Sequence, residues 1–390
     1  MLQHILKIIW KQRGRNGLML LELFMSFLIL VGVSSFLIYN ITLLSTPLGF
    51  ETRDRLMVLF YDNSDQDSIV YEAKVDQLIT RLKEIPEIES ISFGNSIYPF
   101  SRSLWTSMIE INNVKIRFLT ASMDENYAAT MGLNLTAGRW LQKPLSKEDI
   151  REIVVNQSFV DANFKGAEIL DSVINMNGSS RVVGIIDHYK YNGLFVEEEP
   201  MSISYMDPYD FNSAQCIYLK MASDTPASLE QQIQKAVKES MQISDFVIKN
   251  LEEDRVASGK DNWLTILAIS ALAIFLIINV AMGLFGVLWY NIQQRKYEIS
   301  LRKAMGASEG NILLQIIAES MGMVLIAMIF GGLIVGQIAY FGLIKEFSND
   351  LILKGLVFTI LFMGSLVLVC AVYPAWKASR QSPSIGLQEE

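Results

Sequence analysis

Histidine and cysteine are scarce in this sequence. Two histidines, His4 and His188, and two cysteines, Cys216 and Cys370, are all that 390 residues contain. Too few imidazoles exist for a transition-metal site built on several histidines within one chain, and no disulfide framework is implied. A phosphate loop of the form G-x-x-x-x-G-K-[ST] is absent, so ATP is not bound by that route. Gly306-Ala307-Ser308-Glu309-Gly310 lacks the lysine and a preceding strand, and reads as a helix break. No G-x-S-x-G nucleophile turn is present either. His188, at a strand end beside Asp187, therefore reads as a solvated or hydrogen-bonded structural residue, and Glu197–Glu199 before Pro200 as a solvated loop rather than a cation site. Basic surplus is lacking as well. The net charge is −8, and residues 45–262 alone hold 33 acidic and 21 basic side chains. That balance argues against nucleic acid, which is bound by basic patches.

Apolar sequence is abundant and segregated. Four stretches, Leu18–Leu44, Leu264–Tyr290, Ile312–Leu343 and Leu351–Tyr373, reach the ~20 residues that cross a ~30 Å hydrocarbon core. Basic residues near the ends of these runs set the orientation. Lys7, Lys11, Arg13 and Arg15 precede the first span, Arg295, Lys296, Arg302 and Lys303 lie between the second and third, and Lys377 and Arg380 follow the fourth. Both termini and the 291–311 loop are thus expected in the cytoplasm and the large region outside, with His4 and His188 on opposite sides. The expected order is a cytoplasmic amphipathic segment (1–17), a first span (18–44), an extracytoplasmic domain (45–262), a second span (263–290), the cytoplasmic loop (291–311), a third span (312–343), a short outer loop (344–350), a fourth span (351–373) and a cytoplasmic tail (374–390). The first apolar run exceeds a signal-peptide h-region and no small-x-small site follows it, so it reads as an uncleaved anchor.

The outer domain opens and closes on one pattern. Arg55–Tyr61 reads as a strand, Val70–Ile85 as a helix buried through Val75, Leu78, Ile79 and Leu82, and Ile88–Phe93 as a strand. At the other end Cys216–Met221, Pro226–Met241 and Phe246–Leu251 repeat strand, helix, strand, with Ser223, Asp224 or Thr225 as cap and Pro226 in the first turn. Leu229, Ile233, Ala236 and Val237 form the buried face of the second helix. These two βαβ-like units predict one split α+β subdomain with a strand-rich insertion. The insertion holds Met108–Ile111, Val114–Thr120, Ile153–Val155, Ser172–Met176 and Arg181–Ile186, with hairpin turns at Asn112-Asn113 and Asn177-Gly178. The fold class is a four-span α-helical membrane protein with a large extracytoplasmic α+β domain. Leu264–Tyr290 as a helix is roughly 40 Å long at about 1.5 Å per residue; it and Leu18–Leu44 are expected to continue above the bilayer as a stalk.

Two carboxylates lie in the spans. Glu22 and Glu319 sit one or two turns from the cytoplasmic ends, where they are expected to snorkel or to meet Arg13, Arg15 or Lys303. Gly283 and Gly286 in the second span, with Gly331, Gly332 and Gly336 in the third, form small-residue faces that permit close helix packing, within the chain or with a second copy.

The segment between the second and third spans is the most distinctive. Arg295–Ser308 reads Arg-Lys-Tyr-Glu-Ile-Ser-Leu-Arg-Lys-Ala-Met-Gly-Ala-Ser. It resembles the R-x-x-E-I-x-[IL]-R-[KR]-A-[LMV]-G-A segment of the MacB/FtsX-like permeases of ABC transporters, the mechanotransmission type. Tyr373-Pro374-Ala375-Trp376-Lys377-Ala378-Ser379-Arg380, with Pro383, resembles that family's closing [YF]-P-A-x-x-A-x-[RK] motif. Leu119–Trp140, Ile153–Val160 and Val182–Asn192 are similar to its periplasmic core. The resemblance implies a coupling helix, made of Glu298, Ile299, Leu301, Arg302, Lys303, Ala304, Met305, Gly306, Ala307 and Ser308, that sits in a groove of a cytoplasmic ATPase, with the charge of Arg302 and the helix geometry at Gly306 deciding the fit. It implies two permeases, identical or different, on two ATPase subunits. It also implies a porter-like and a sabre-like subdomain outside, a periplasmic adaptor or lipoprotein partner, and no catalysis by this chain. The chain then binds no cofactor itself, and ATP and Mg belong to the ATPase. MacB proper carries that ATPase at its N-terminus; with a first span near residue 18, a separate ATPase chain is expected here. The leading reading is a permease acting on an envelope or periplasmic substrate, in efflux or in lipoprotein or peptide export. The alternative is an FtsX-type scaffold that regulates an outer partner such as a cell-wall hydrolase. A membrane-anchored enzyme is disfavoured by the missing catalytic signatures.

Overall fold

A computed structural model describes residues 13–60, 68–95, 98–101, 106–111, 114–144, 150–163, 169–176, 178–209, 216–223, 228–243, 245–344 and 347–380. Several expectations fall outside them: residues 1–12 with His4, Lys7 and Lys11, the Asn112-Asn113 turn, Asn177, the candidates Asp224, Thr225 and Pro226, and residues 381–390 with Pro383. The chain divides into a helical unit (residues 1–42 and 263–390) and an α/β unit (residues 43–262).

Among the described residues of the helical unit, four helices are long and apolar enough to cross a membrane. They are α1 (Arg13–Ser45), α6 (Leu251–Gln294), α8 (Glu309–Tyr340) and α9 (Asn349–Ser379). Ser308 and Ser348 start the last two by accepting hydrogen bonds from the backbone N–H of Asn311 and Leu351 at 3.3 Å, as N-caps do. The fourth helix outruns its expected span by six residues and passes through Pro374, which lies inside it. A proline costs a helix one hydrogen bond but is tolerated in membrane helices, where neighbours re-satisfy the freed groups. The second helix begins at Leu251, twelve residues before the expected span.

The core of this unit is built on α1. Leu23, Phe27, Leu30 and Val31 pack with Val280 and Leu284 of α6, Val324 and Met328 of α8, and Met363 and Val367 of α9. Each partner helix meets α1 at a glycine. A Cβ on Gly283 would sit 2.7 Å from the Glu22 carboxylate, and one on Gly331 would collide with the Phe27 ring. One on Gly355 would collide with Ser35 Oγ and lie 3.0 Å from the Ser35 backbone. Thr359 adds a 3.1 Å hydrogen bond to Ser34 beside that contact. Gly286, Gly332 and Gly336 meet nothing within 4 Å. Of the five glycines in the second and third spans, Gly283 and Gly331 thus seat α1, and Gly355 of the fourth span adds a third seat.

In the α/β unit β1 (Arg55–Phe60), α2 (Ser68–Lys83) and β2 (Ile88–Gly94) form the opening. β10 (Cys216–Met221), α5 (Ser228–Met241) and β11 (Phe246–Asn250) form the close. The strands order β11-β1-β10-β2, each neighbouring pair antiparallel. Each βαβ crossing therefore skips one strand, the split arrangement. Alternation sorts β1 between two cores. Leu56, Val58 and Phe60 face Val75, Leu78 and Leu82 of α2 and Leu229, Ile233 and Val237 of α5. Met57 and Leu59 face Met123, Tyr127 and Met131 of the insertion. The insertion comprises β3 (Thr106–Ile111), β4 (Val114–Met123), α3 (Tyr127–Met131), β5 (Leu135–Gly138), β6 (Arg151–Asn156), α4 (Gln157–Asn163), β7 (Val173–Asn175), β8 (Ser179–Ile186) and β9 (Met201–Tyr205). Its strands continue the same sheet in the order β4-β9-β6-β8-β5, with β4–β9 and β6–β8 parallel. β5 and β9 were not anticipated, although Met201-Ser-Ile-Ser-Tyr205 alternates. The join is the single pairing of Gly94 with Met123. A side chain at Gly94 would lie 2.7 Å from Met123 Sδ and 2.8 Å from the Tyr218 ring.

Asp124 pins this join. Its buried carboxylate accepts from Ser92 Oγ at 2.6 Å, from Phe93 N–H at 3.0 Å and from Asn126 N–H at 3.1 Å. Burial raises its pKa from 3.8 to about 6. A raised carboxyl pKa contributes stability that is full below the unfolded value and lost as pH rises through the folded value, here ~3 kcal/mol in all. We expect the unfolding temperature of the wild type, minus that of Asp124→Asn, to fall between pH 4 and 7; a pH-independent difference refutes the assignment. In the helical unit, Gly355→Val should cost about 1–3 kcal/mol by overpacking, whereas Gly332→Ala should be near neutral. Equal thermal stability of the two variants in detergent would contradict the α1 seat.

Candidate functional site

The turn between α6 and α8 carries the candidate site. Its nine-residue helix α7 (Lys296–Ala304) ends on Gly306, whose φ is +100°. Gly306 N–H bonds to Lys303 C=O at 3.1 Å and Ala307 N–H to Arg302 C=O at 3.0 Å. This pair of bonds is the Schellman closure, for which a left-handed glycine suits best. Ser308 then caps α8, so Gly306-Ala307-Ser308 is a stop and a restart with no loop to spare.

The inner face of α7 is held by a closed ring of side chains. Arg295 Nε reaches Glu298 at 3.3 Å, and Arg302 Nη2 donates to the other oxygen of Glu298 at 2.6 Å. Arg302 Nη1 donates to Gln315 Oε1 at 2.7 Å, Gln315 Nε2 to Glu319 at 2.9 Å, and Arg295 Nη1 to Glu319 at 2.6 Å. Two cations and two anions balance. Ile299 lies beneath, with Ile312 and Ile316, and Ser300 is buried. Lys303 Nζ leaves the ring, donating to Glu309 at 3.0 Å and to the Ser379 carbonyl at the end of α9 at 2.7 Å. Lys377 stands over the Trp289 ring at 4.7 Å and Arg380 over Trp376 at 4.5 Å. The two segments singled out by motif thus touch through Lys303 and Ser379.

This geometry corrects one expectation. Glu319 is paired with Arg295 and not with Lys303; on α8 it sits three turns from the start. The guanidinium of Arg302 is bonded within the ring, to Glu298 and Gln315. The outward face is apolar instead. Tyr297, Leu301 and Met305 are 58%, 41% and 71% exposed, and Ala304 is exposed beside them. Their i, i+4, i+8 spacing places them on one side of the helix. Tyr297 and Arg295 were outside the expected set, although that periodicity was visible in the sequence. The surface has no acid–base chemistry to perform. It can present a rigid apolar ridge.

The other candidates are structural. His188 Nδ1 lies 2.7 Å from Glu198 Oε2, and Asn156 Nδ2 donates to Glu198 Oε1 at 2.7 Å. Among the described residues no group of His, Cys, Asp and Glu is arranged to hold a metal ion, and Cys216 and Cys370 are free.

Comparison with known proteins gives two family matches. The MacB-like periplasmic core domain matches residues 26–236, and the FtsX-like permease C-terminal matches residues 269–383. The macrolide export ATP-binding/permease protein MacB of Bartonella henselae is 26% identical over 303 residues, covering 73% of this chain and 44% of that protein. The same-named protein of Rhodopseudomonas palustris is 25% identical over 257 residues, covering 62% and 38%. The chain therefore spans less than half the length of these relatives. Among solved structures, the periplasmic region of MacB from Actinobacillus actinomycetemcomitans matches at 17% identity and a TM-score of 0.38, covering 55% of this chain and 97% of that one.

The ring predicts a local effect. Arg302→Met removes two of its bonds and should loosen α7 by about 1 kcal/mol, the scale of a partly exposed ion pair. Amide exchange over residues 297–305 should speed up several-fold while α8 and α9 stay protected. No change over those residues would show that the ring does not hold the helix.

Proposed function

This chain belongs to the MacB/FtsX-like family of ABC transporter permeases, and from that membership we propose that it carries ATP-driven motion from a cytoplasmic ATPase to its α/β unit. The observation that supports this most is the outward ridge of Tyr297, Leu301, Ala304 and Met305 on a helix that ring and cap hold rigid. An exposed apolar face on a short helix joining two spans is costly unless a partner covers it. In this reading α7 docks in a groove of the ATPase. ATP and Mg are bound there, on a separate chain, and not by this one. Arg302 and Lys303, bonded within the turn, position the ridge.

In this proposal α7 and both termini face the cytoplasm and the α/β unit the periplasm of a bacterial inner membrane. Two permeases, identical or different, pair with two ATPases. The charged first three turns of α6, from Leu251 to Asn262, exceed what a bilayer needs and serve as stalk. The work done is on an envelope or periplasmic substrate, in efflux or in lipoprotein or peptide export, with a periplasmic adaptor or lipoprotein as an outer partner.

The test is recovery of ATPase activity with the tagged chain in mild detergent. The wild type should bring down a soluble ATPase. Leu301→Asp and Met305→Asp, both at exposed positions, should each lose about 2 kcal/mol of association and recover tens of fold less activity at unchanged thermal stability. Undiminished recovery by both variants, or no ATPase with the wild type, would overturn the reading.

A further inference from the structure

Lys190 is a buried cation with no part in the site described above. It is 2% exposed and lies in the connector between β8 and β9, residues 187–200. Its ammonium donates to the Leu43 carbonyl at 2.8 Å and to the Leu194 carbonyl at 2.7 Å. Leu43 is in the last turn of α1, where backbone carbonyls lack helical partners and a cation is favoured by the helix dipole. Burial lowers the pKa of Lys190, with Glu198 opposing the shift.

The backbone repeats the contact. Lys190 N–H bonds to Leu48 C=O at 2.8 Å. Gly49, at φ +85°, passes so close to the His188 carbonyl that no side chain fits between them. The same connector reaches the start of α6. Gly193, at φ +106°, faces Ser258, whose Oγ would be 3.2 Å from a Cβ there. Glu252 of α6 in turn accepts from Thr52 at 2.5 Å and pairs with Arg255, closing the circuit between the two helix ends. All these groups lie in the α/β unit.

The connector is also fixed to the strand-rich insertion. Glu198 accepts from Tyr189 N–H at 2.9 Å and from Asn156 at 2.7 Å, and Asn156 Oδ1 accepts from Met201 N–H of β9 at 2.8 Å. A displacement of the end of α1 thus has a chain of charge-assisted and backbone bonds to follow, from Leu43 through Lys190 and Glu198 to β6 and β9.

We propose that Lys190 is a positioning residue that latches the end of α1 to the β8–β9 connector, so that movement of α1 is delivered to the strand-rich insertion. The latch rests on the permease reading for its driving force, but not for its geometry.

The experiment is hydrogen exchange of the full chain in nanodiscs, with the co-purified ATPase and a non-hydrolysable ATP analogue. In the wild type, residues 43–49 and 187–195 should change exchange together on nucleotide addition. In Lys190→Met the nucleotide response should persist at 43–49 and vanish at 187–195, with ATPase recovery and the exchange of β1 and β10 unaltered; Lys190→Arg should retain it. A wild-type connector that ignores nucleotide while the ATPase is stimulated overturns the latch, as does a response at 187–195 that survives Lys190→Met. If no ATPase is recovered, the permease reading fails by itself. The nucleotide-free comparison then decides: Lys190→Met should speed exchange of both segments about tenfold, and loosening of one alone refutes the latch.

Discussion

The packing of α1 is the constraint on which the helical unit depends. Three helices approach it, and each does so at a residue without a side chain: Gly283, Gly331 and Gly355. Lipid supplies little hydrophobic drive for helix association, so close van der Waals contact and hydrogen bonds must supply it. The glycines allow that contact, and Ser34 and Thr359 add a hydrogen bond at one seat. Because the three seats lie on three different helices, α1 is held from several sides. A shift of α1 must displace its neighbours or lose those contacts.

Charge is used in the opposite way at the turn between α6 and α8. The basic and acidic residues that make this segment conspicuous face inward and neutralise one another, Arg295 and Arg302 against Glu298 and Glu319. Gln315 joins the two ends because its amide both accepts and donates. The result is a short helix with fixed orientation and an apolar outer ridge. An exposed ion pair is worth little to a stable fold, but five side chains in a closed ring, capped by a left-handed glycine, define one geometry. For docking, geometry matters more than net charge.

Much of this was legible in the sequence. Periodicity located α2 through Val75, Leu78 and Leu82 and α5 through Leu229, Ile233 and Val237, because a helix on a sheet has one buried face. Hydropathy located four spans, since length and apolarity are all that a bilayer asks. What escaped depends on three-dimensional neighbours. Gly355 looks like any glycine until Ser35 is opposite it. Arg302 reads as an exposed charge until α8 presents Gln315 one turn away. β9 alternates, but it is short and follows three acids and a proline, and its pairing partners β4 and β6 are distant in sequence. Motif resemblance singled out the segment between α6 and α8, which the structure shows as a short helix between two caps. Only the helical period within it separates the residues that hold α7 from those it presents.

The long helices α6 and α9 differ in composition. α6 runs 44 residues with no proline and so keeps every backbone donor that a proline would remove. α9 contains Pro374, but at a position where Lys303 and the aromatic contacts of Trp289 and Trp376 brace the final turns. In the α/β unit the sheet runs from β11 to β5, and its two halves meet in the pairing of Gly94 with Met123, in the flanking bonds of Asn95 N–H to Ser122 C=O and Asp124 N–H to Phe93 C=O at 3.1 Å, and in the core that Met57, Leu59 and Tyr218 share with Met123, Tyr127 and Met131. Asp124, bonded to Ser92 and Phe93, and Arg55, whose Nε donates to the Thr130 carbonyl at 2.5 Å, brace a join whose strand register is shorter than that of its neighbours.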